Sequence, residues 1–197
     1  MSGAAVRLGR VERVSNETRF LCELRLEGAG RAEVATGVSF LDHMLEQVAR
    51  YAGLDLRLEG TGDLQVDAHH TVEDAGIVVG RALAEALGDR AGITRFAHAY
   101  APLDESLARV VVDLGRRPYL SYHVPLEGPV GALDLETLEE WWRAFSIHAG
   151  ATLHVDLIRG RNRHHAAEAC FKALGLALRQ AVAVTGEGVP SSKGLLG

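Results

Sequence analysis

Two stretches of this chain carry the same pattern 95 residues apart (164 − 69): His69-His70 with Glu73, and His164-His165 with Glu168. Nine histidines scattered at random over 197 residues would give two doublets, each with glutamate three positions on, on the order of 1% of the time. The pattern therefore reads as an internal duplication. A duplicated chain of this length is restricted to two small, similar halves that share one body. Its 47% apolar and 24% charged content suits a globular protein with a sizeable core.

The hydropathy pattern supports two halves with one order of elements. Val6 to Val14 and Thr18 to Leu26 alternate as strands, and Gly28 and Gly30 interrupt the pattern. Phe40 to Ala52 has helical spacing, with Leu41, Met44, Leu45 and Val48 on one stripe and Ser39 as the expected N-cap. Leu54 to Leu58 alternates as a strand, Gly60 to Gly62 reads as a turn, and His70 to Leu87 as a longer helix. The second half repeats this with strands at Phe96 to Ala101, Leu107 to Leu114 and Tyr119 to Val124, then a helix at Leu135 to Ala149. A strand at Thr152 to Ile158 and a helix from His165 to Ala183 follow. The expected fold is α+β: duplicated strand-strand-helix-strand-helix units, each a mixed sheet covered by helices on one face. The division is 1–92, 93–185 and a tail, 186–197, without periodicity.

Charge narrows the partners. With 21 basic and 26 acidic residues and no basic run, the chain has no electrostatic footprint for nucleic acid or for a membrane surface. Cys22 and Cys170 share no motif, the N-terminus lacks an apolar signal core, and no window approaches a membrane span. The chain reads as cytoplasmic and free of disulfides, acting on a small molecule.

Residues i and i+4 of a helix share a face, so His69 with Glu73 and His164 with Glu168 form matched pairs of nitrogen and carboxylate donors. His70 and His165 point roughly 100° away, which lets each helix start serve two ions. By residue type, His43 on the first helix is answered by His148 near the end of its counterpart, 105 residues on (148 − 43). The ligand sets read from spacing are then His69, Glu73, His164 and Glu168 for one ion, and His43, His70, His148 and His165 for the other. Imidazole with carboxylate and no thiolate suits manganese, iron, zinc or nickel. Two rival classes use such a donor set, a metal-dependent hydrolase with a bridging water and a metal-storing or purely structural shell. From position alone, Glu17 reads as a solvated turn residue, and the scattered Arg95, Arg117 and Lys193 form no derivable anion site.

Four segments together carry a resemblance: Phe40-Leu41-Asp42-His43-Met44-Leu45; Asp67-Ala68-His69-His70-Thr71-Val72-Glu73-Asp74; Asn162-Arg163-His164-His165-Ala166-Ala167-Glu168 with Phe171-Lys172; and Pro190-Ser191-Ser192-Lys193-Gly194. Along essentially its whole length the chain resembles the imidazoleglycerol-phosphate dehydratases of histidine biosynthesis. The resemblance implies a duplicated α+β fold, two manganese ions per subunit bound by the two sets above, and a shell of about twenty-four subunits in which neighbours complete each site. It implies that Arg95, Arg117, Lys172, Ser191 and Lys193 grip the substrate phosphate, with Gln47, Tyr51 and Ser192 beside them. Glu17 would transfer protons, with His43, His70, Glu73 and Glu168 at the reacting centre. Tyr51 departs from the family pattern, where a histidine is usual; a phenol donates a hydrogen bond but carries no positive charge. The implied reaction turns imidazole glycerol phosphate into imidazole acetol phosphate through a metal-stabilised imidazolate and a diazafulvene-like intermediate.

Overall fold

In the computed structural model, which describes residues 6–192 and 194–196, the chain forms two four-stranded sheets of the same design. The first half runs β1 (Leu8–Val14), β2 (Thr18–Arg25), β3 (Ala32–Ala35), α1 (Ser39–Ala52), β4 (Asp55–Gly62) and α2 (His69–Leu87). The second runs β5 (Phe96–Leu103), β6 (Ser106–Asp113), β7 (Tyr119–His123), a small hairpin of β8 (Pro129–Val130) and β9 (Leu133–Asp134), α3 (Leu138–Ala149), β10 (Thr152–Arg159) and α4 (Arg163–Ala181). Strand order is β1-β2-β4-β3 in one sheet and β5-β6-β10-β7 in the other. In each, the strand after the helix pairs antiparallel with the hairpin and parallel with the short edge strand.

Strict alternation puts Phe20, Cys22 and Leu24 on the buried face of β2 and Ala108, Val110 and Val112 on that of β6. α2 lies over β1, β2 and β4, and α4 over β5, β6 and β10. The helices also pair across the halves, α1 with α4 and α2 with α3, so the two sheets share one core. Trp141, Trp142, Phe145 and Phe171 fill it, with the rings of Trp141 and Phe145 stacked 5.1 Å apart. Both cysteines are buried and free, and no helix among the described residues is long and apolar enough to cross a membrane.

The structure corrects the sequence reading at several points. The first half has a third strand, β3, whose four residues are too few to stand out in the sequence and which pairs parallel with the distant β4 and packs on α1. Gly60 to Gly62 belongs to β4 instead of a turn, because β2 continues opposite it. Ser39 is the first residue of α1 and not its N-cap; Asp42 reaches back to the backbone and hydroxyl of Thr36 instead. α2 and α4 begin at His69 and Arg163, so each doublet lies wholly within a first turn. Asn162 fixes the second start by accepting from the backbone N–H of His164 and of His165.

The offset between the halves is not constant. Thr18 and Ser106 are both buried at a strand start, 88 residues apart (106 − 18). The left-handed glycines that end α1 and α3, Gly53 and Gly150, are 97 apart (150 − 53). The β8-β9 hairpin accounts for that gain, and a shorter connection from β10 to α4 returns the offset to 95 at the histidine doublets.

Two glycines set the distance between paired helices. A Cβ on Gly175 of α4 would lie 2.9 Å from both the Val48 carbonyl oxygen and the Tyr51 Cβ of α1. A Cβ on Gly80 of α2 would lie 2.8 Å from the Phe145 carbonyl oxygen of α3, 2.9 Å from the Ala149 nitrogen and 3.1 Å from the His148 Cβ. The two contacts match residue for residue under the offsets of 95 and 97, so Tyr51 and His148 are equivalent. The structural counterpart of His43 is Glu140 (140 − 43 = 97), not His148.

Overpacking against backbone should outweigh the helix-forming advantage of alanine, about 1 kcal/mol. Gly80→Ala and Gly175→Ala are each expected to lose about 1–3 kcal/mol of stability in urea unfolding. Unchanged midpoints would show that the helices separate freely.

Candidate metal centre

The best-formed cluster lies where α1 meets α4. His164 and Glu168 sit one turn apart on α4, with His164 Nε2 3.0 Å from Glu168 Oε2. From α1, His43 Nε2 comes within 3.1 Å of the same oxygen. Among the described residues these three offer donor atoms all within 4.8 Å of one another. The other Glu168 oxygen takes an ion pair from Lys172 Nζ at 2.6 Å. Burial alone would raise the Glu168 pKa, but Lys172, His43 and His164 together hold it below the usual carboxylate value. Gln47 Nε2 is 3.4 Å from His43 Nδ1, Phe40 packs edge-on against His164, and Lys172 lies over the Tyr51 ring at 5.7 Å.

His43 therefore joins His164 and Glu168 within one chain, instead of the set with His70, His148 and His165 that spacing suggests. Helix pairing decides this, because α1 packs on α4 and α2 on α3. At the equivalent start of α2, His69 lines an acidic cavity of about 410 Å³ with Asp67, Asp134 and Glu136, and Glu73 follows it one helical turn on. Glu140 occupies the place that His43 has in the other half. His148 stands further along α3 with Arg81 Nε 3.4 Å from its Nδ1, and burial with that cation lowers its pKa.

His70 and His165 turn away from their doublet partners with rings nearly perpendicular, at 89° and 87°. His70 Nδ1 is 3.0 Å from Asp63 Oδ2, and His165 Nδ1 is 2.9 Å from Glu105 Oε2. These carboxylates raise both histidine pKa values, and the pairing with His165 holds Glu105 far below the ordinary carboxylate range. Glu17 is exposed at the β1–β2 turn, with Oε1 3.9 Å from His70 Nε2.

The expected phosphate-binding residues fall into two groups. Arg95, Arg117, Ser191 and Ser192 line one small cavity of about 170 Å³ with Gly115, Leu195 and Leu196. There the buried Arg95 is held by Asp113 at 2.7 and 3.0 Å and by the Pro190 carbonyl oxygen at 2.8 Å, which ties the tail to the second sheet. Gln47, Tyr51 and Lys172 lie instead at the α1–α4 cluster. Lys193 lies outside the described residues.

Sequence reading missed Asp63, Glu105, Asp113 and Glu140. Glu105 had a detectable signal: it precedes β6 as Glu17 precedes β2. The offset there is 88 and not 95, so a search at the histidine offset passes over it.

The family model for imidazoleglycerol-phosphate dehydratase matches residues 36–178, which include all eight ligand residues expected from the sequence. The imidazoleglycerol-phosphate dehydratase of Magnetococcus marinus is 53% identical over 194 residues, covering 96% of this chain and 98% of the relative. That of Halorhodospira halophila is 52% identical, covering 98% and 100%. The crystal structure of the Staphylococcus aureus dehydratase superposes with a TM-score of 0.80 at 40% identity, covering 91% of this chain and 99% of that one. The Pyrococcus furiosus structure gives 0.83 at 37% identity, covering 94% and 100%. With its duplicated fold, its histidine–glutamate cluster and full-length relatives, this chain belongs to the imidazoleglycerol-phosphate dehydratase family.

Proposed function

We propose that this chain dehydrates imidazole glycerol phosphate to imidazole acetol phosphate in histidine biosynthesis. It would work with two manganese ions per subunit, in a cytoplasmic homo-oligomer of about twenty-four subunits with sites between neighbours. The observation that carries the reading is the convergence of His43, His164 and Glu168 in a chain of this family.

The donors fit such an ion. Imidazole and carboxylate without thiolate suit manganese, and Lys172 engages only one oxygen of Glu168, leaving the oxygen between the two imidazoles for a metal. His43, His164 and Glu168 would hold one ion, and His69 with Glu73 the other. His70 and His165, facing away from their doublet partners, would complete sites of neighbouring subunits. His148, at the place of Tyr51 and next to Arg81, takes no ligand role in this reading.

When bound, the ions supply Lewis acidity to the imidazole ring of the substrate. The hydrogen lost from the glycerol chain is not acidified by a carbonyl, so the ring itself must take up electrons. An imidazolate form of the substrate can expel hydroxide from the adjoining carbon to give a diazafulvene-like species. Loss of the neighbouring proton then gives an enol that tautomerises to the ketone. Glu17 is the proton carrier, exposed yet close to His70. Arg117, Ser191 and Ser192 orient the phosphate, and Asp113 keeps Arg95 in a fixed pose among them. Lys172, Gln47 and Tyr51 contribute from the α1–α4 side, and Lys193 from the tail.

Metal-stripped protein should stay folded by circular dichroism, lose conversion of imidazole glycerol phosphate, and regain it on addition of manganese. Release of inorganic phosphate without dehydration would overturn the reading in favour of a hydrolase. Glu17→Gln is expected to lower turnover by roughly 10²–10⁴-fold while metal content by mass spectrometry stays at the wild-type value. Unchanged turnover would remove Glu17 from the mechanism. Glu168→Gln should weaken manganese binding by more than about tenfold in titration calorimetry.

A further inference from the structure

An imidazole can offer a lone pair to a metal from one nitrogen only while the proton sits on the other. At His70 and His165 the Nδ1 atoms are already engaged. Asp63 presents both carboxylate oxygens to His70 Nδ1, at 3.0 and 3.3 Å. Glu105 Oε2 lies 2.9 Å from His165 Nδ1, while its Oε1 accepts the backbone N–H of Arg161 at 3.1 Å and of Asn162 at 2.8 Å and the Ser106 hydroxyl at 3.1 Å. An ionised carboxylate can only accept, so each Nδ1 must donate, and in the neutral ring each Nε2 carries the free lone pair.

We propose that Asp63 and Glu105 are positioning residues that hold His70 and His165 in the Nδ1–H tautomer and present Nε2 as the metal-ligating atom. The inference rests on the metal reading above and extends it to two residues outside the ligand set.

The two halves reach the same result by different routes. Asp63 is the first residue after β4, and the first residue after β10 is Gly160. A Cβ at Gly160 would meet the Ser106 hydroxyl at 2.6 Å, so a carboxylate there is sterically disfavoured. Glu105, at the turn position that Glu17 has in the first half, holds the histidine in its stead. With Asp63 holding His70, Glu17 stays exposed and makes no side-chain hydrogen bond to the ring, whereas its counterpart Glu105 is anchored by four hydrogen bonds. The duplication thereby keeps one turn glutamate free to carry protons and turns the other into a support.

The two positions should respond differently to amide substitution. The Asp63 side chain makes no other hydrogen bond among the described residues, so in Asp63→Asn it can turn its carbonyl oxygen toward His70 Nδ1. In Glu105→Gln the carbonyl oxygen is required by the two backbone N–H groups, so the amide NH2 faces His165 and forces its proton onto Nε2. Manganese titration of the full-length protein should therefore show near wild-type affinity for Asp63→Asn. Affinity should fall by roughly 10–100-fold for Asp63→Ala and Glu105→Gln. Nitrogen-15 magic-angle-spinning spectra of metal-free protein, recorded at a pH above the titration of both histidines so that the rings are neutral, read the tautomer directly. The expected wild-type spectrum has Nδ1–H at His70 and His165, and Glu105→Gln should convert His165 to Nε2–H. Nε2–H at either histidine in the wild type would overturn the proposal even if a variant failed to fold. Wild-type manganese affinity in Glu105→Gln would also overturn it. A wild type that takes up no manganese at all would instead defeat the metal reading on which it rests.

Discussion

The chemistry of this chain depends on how closely α1 can approach α4. At Gly175 the helices touch backbone to backbone, with no room for a methyl group beside the Val48 carbonyl. Two turns earlier, that closeness lets an imidazole from α1 span the gap to a carboxylate on α4, His43 to Glu168 at 3.1 Å. Separation by the width of one side chain would leave His164 and Glu168 as an ordinary helical pair. Gly80 imposes the same approach between α2 and α3, and it is by these two contacts that the halves become one body.

Electrostatics completes what packing begins. A buried carboxylate is costly unless paired, and Glu168 is answered by an ammonium at i+4 on its own helix and by two imidazoles on its other oxygen. Cationic support from Lys172 keeps the group ionised in a position where burial would otherwise favour its neutral form. At each helix start the second histidine turns nearly a right angle from the first and meets a carboxylate outside the helix. One turn of helix thus points two imidazoles in different directions without either competing for the same space.

The duplicated architecture was legible because its signals are local. The histidine–glutamate pairs depend only on the helical repeat, and the strands of both hairpins on alternation between faces. His43 and His148 were matched wrongly because pairing by residue type ignores the nine-residue gain in offset between β7 and α3 (97 − 88). The αL glycines at the ends of the two helices, and the matching contacts at Gly80 and Gly175, correct the alignment to Tyr51 with His148 and His43 with Glu140. β3 escaped notice for another reason: four residues hold too little pattern, and its hydrogen bonds go to a strand more than twenty positions away.

The amino-acid sequence by itself determined the duplication, the order of most elements, the i, i+4 donor pairs and the divergent second histidines. Each of these follows from backbone periodicity, which acts over a few residues. Only the tertiary structure decided that His43 belongs with His164 and Glu168, and that Arg95 is tied to Asp113 while Arg117 lines the same cavity. It also decided that Asp63 and Glu105 face the second histidine of each doublet. Those contacts join residues 7 to 125 positions apart, and their geometry is set by which helices pack together and how closely, a property of side-chain volume across an interface that no local pattern encodes.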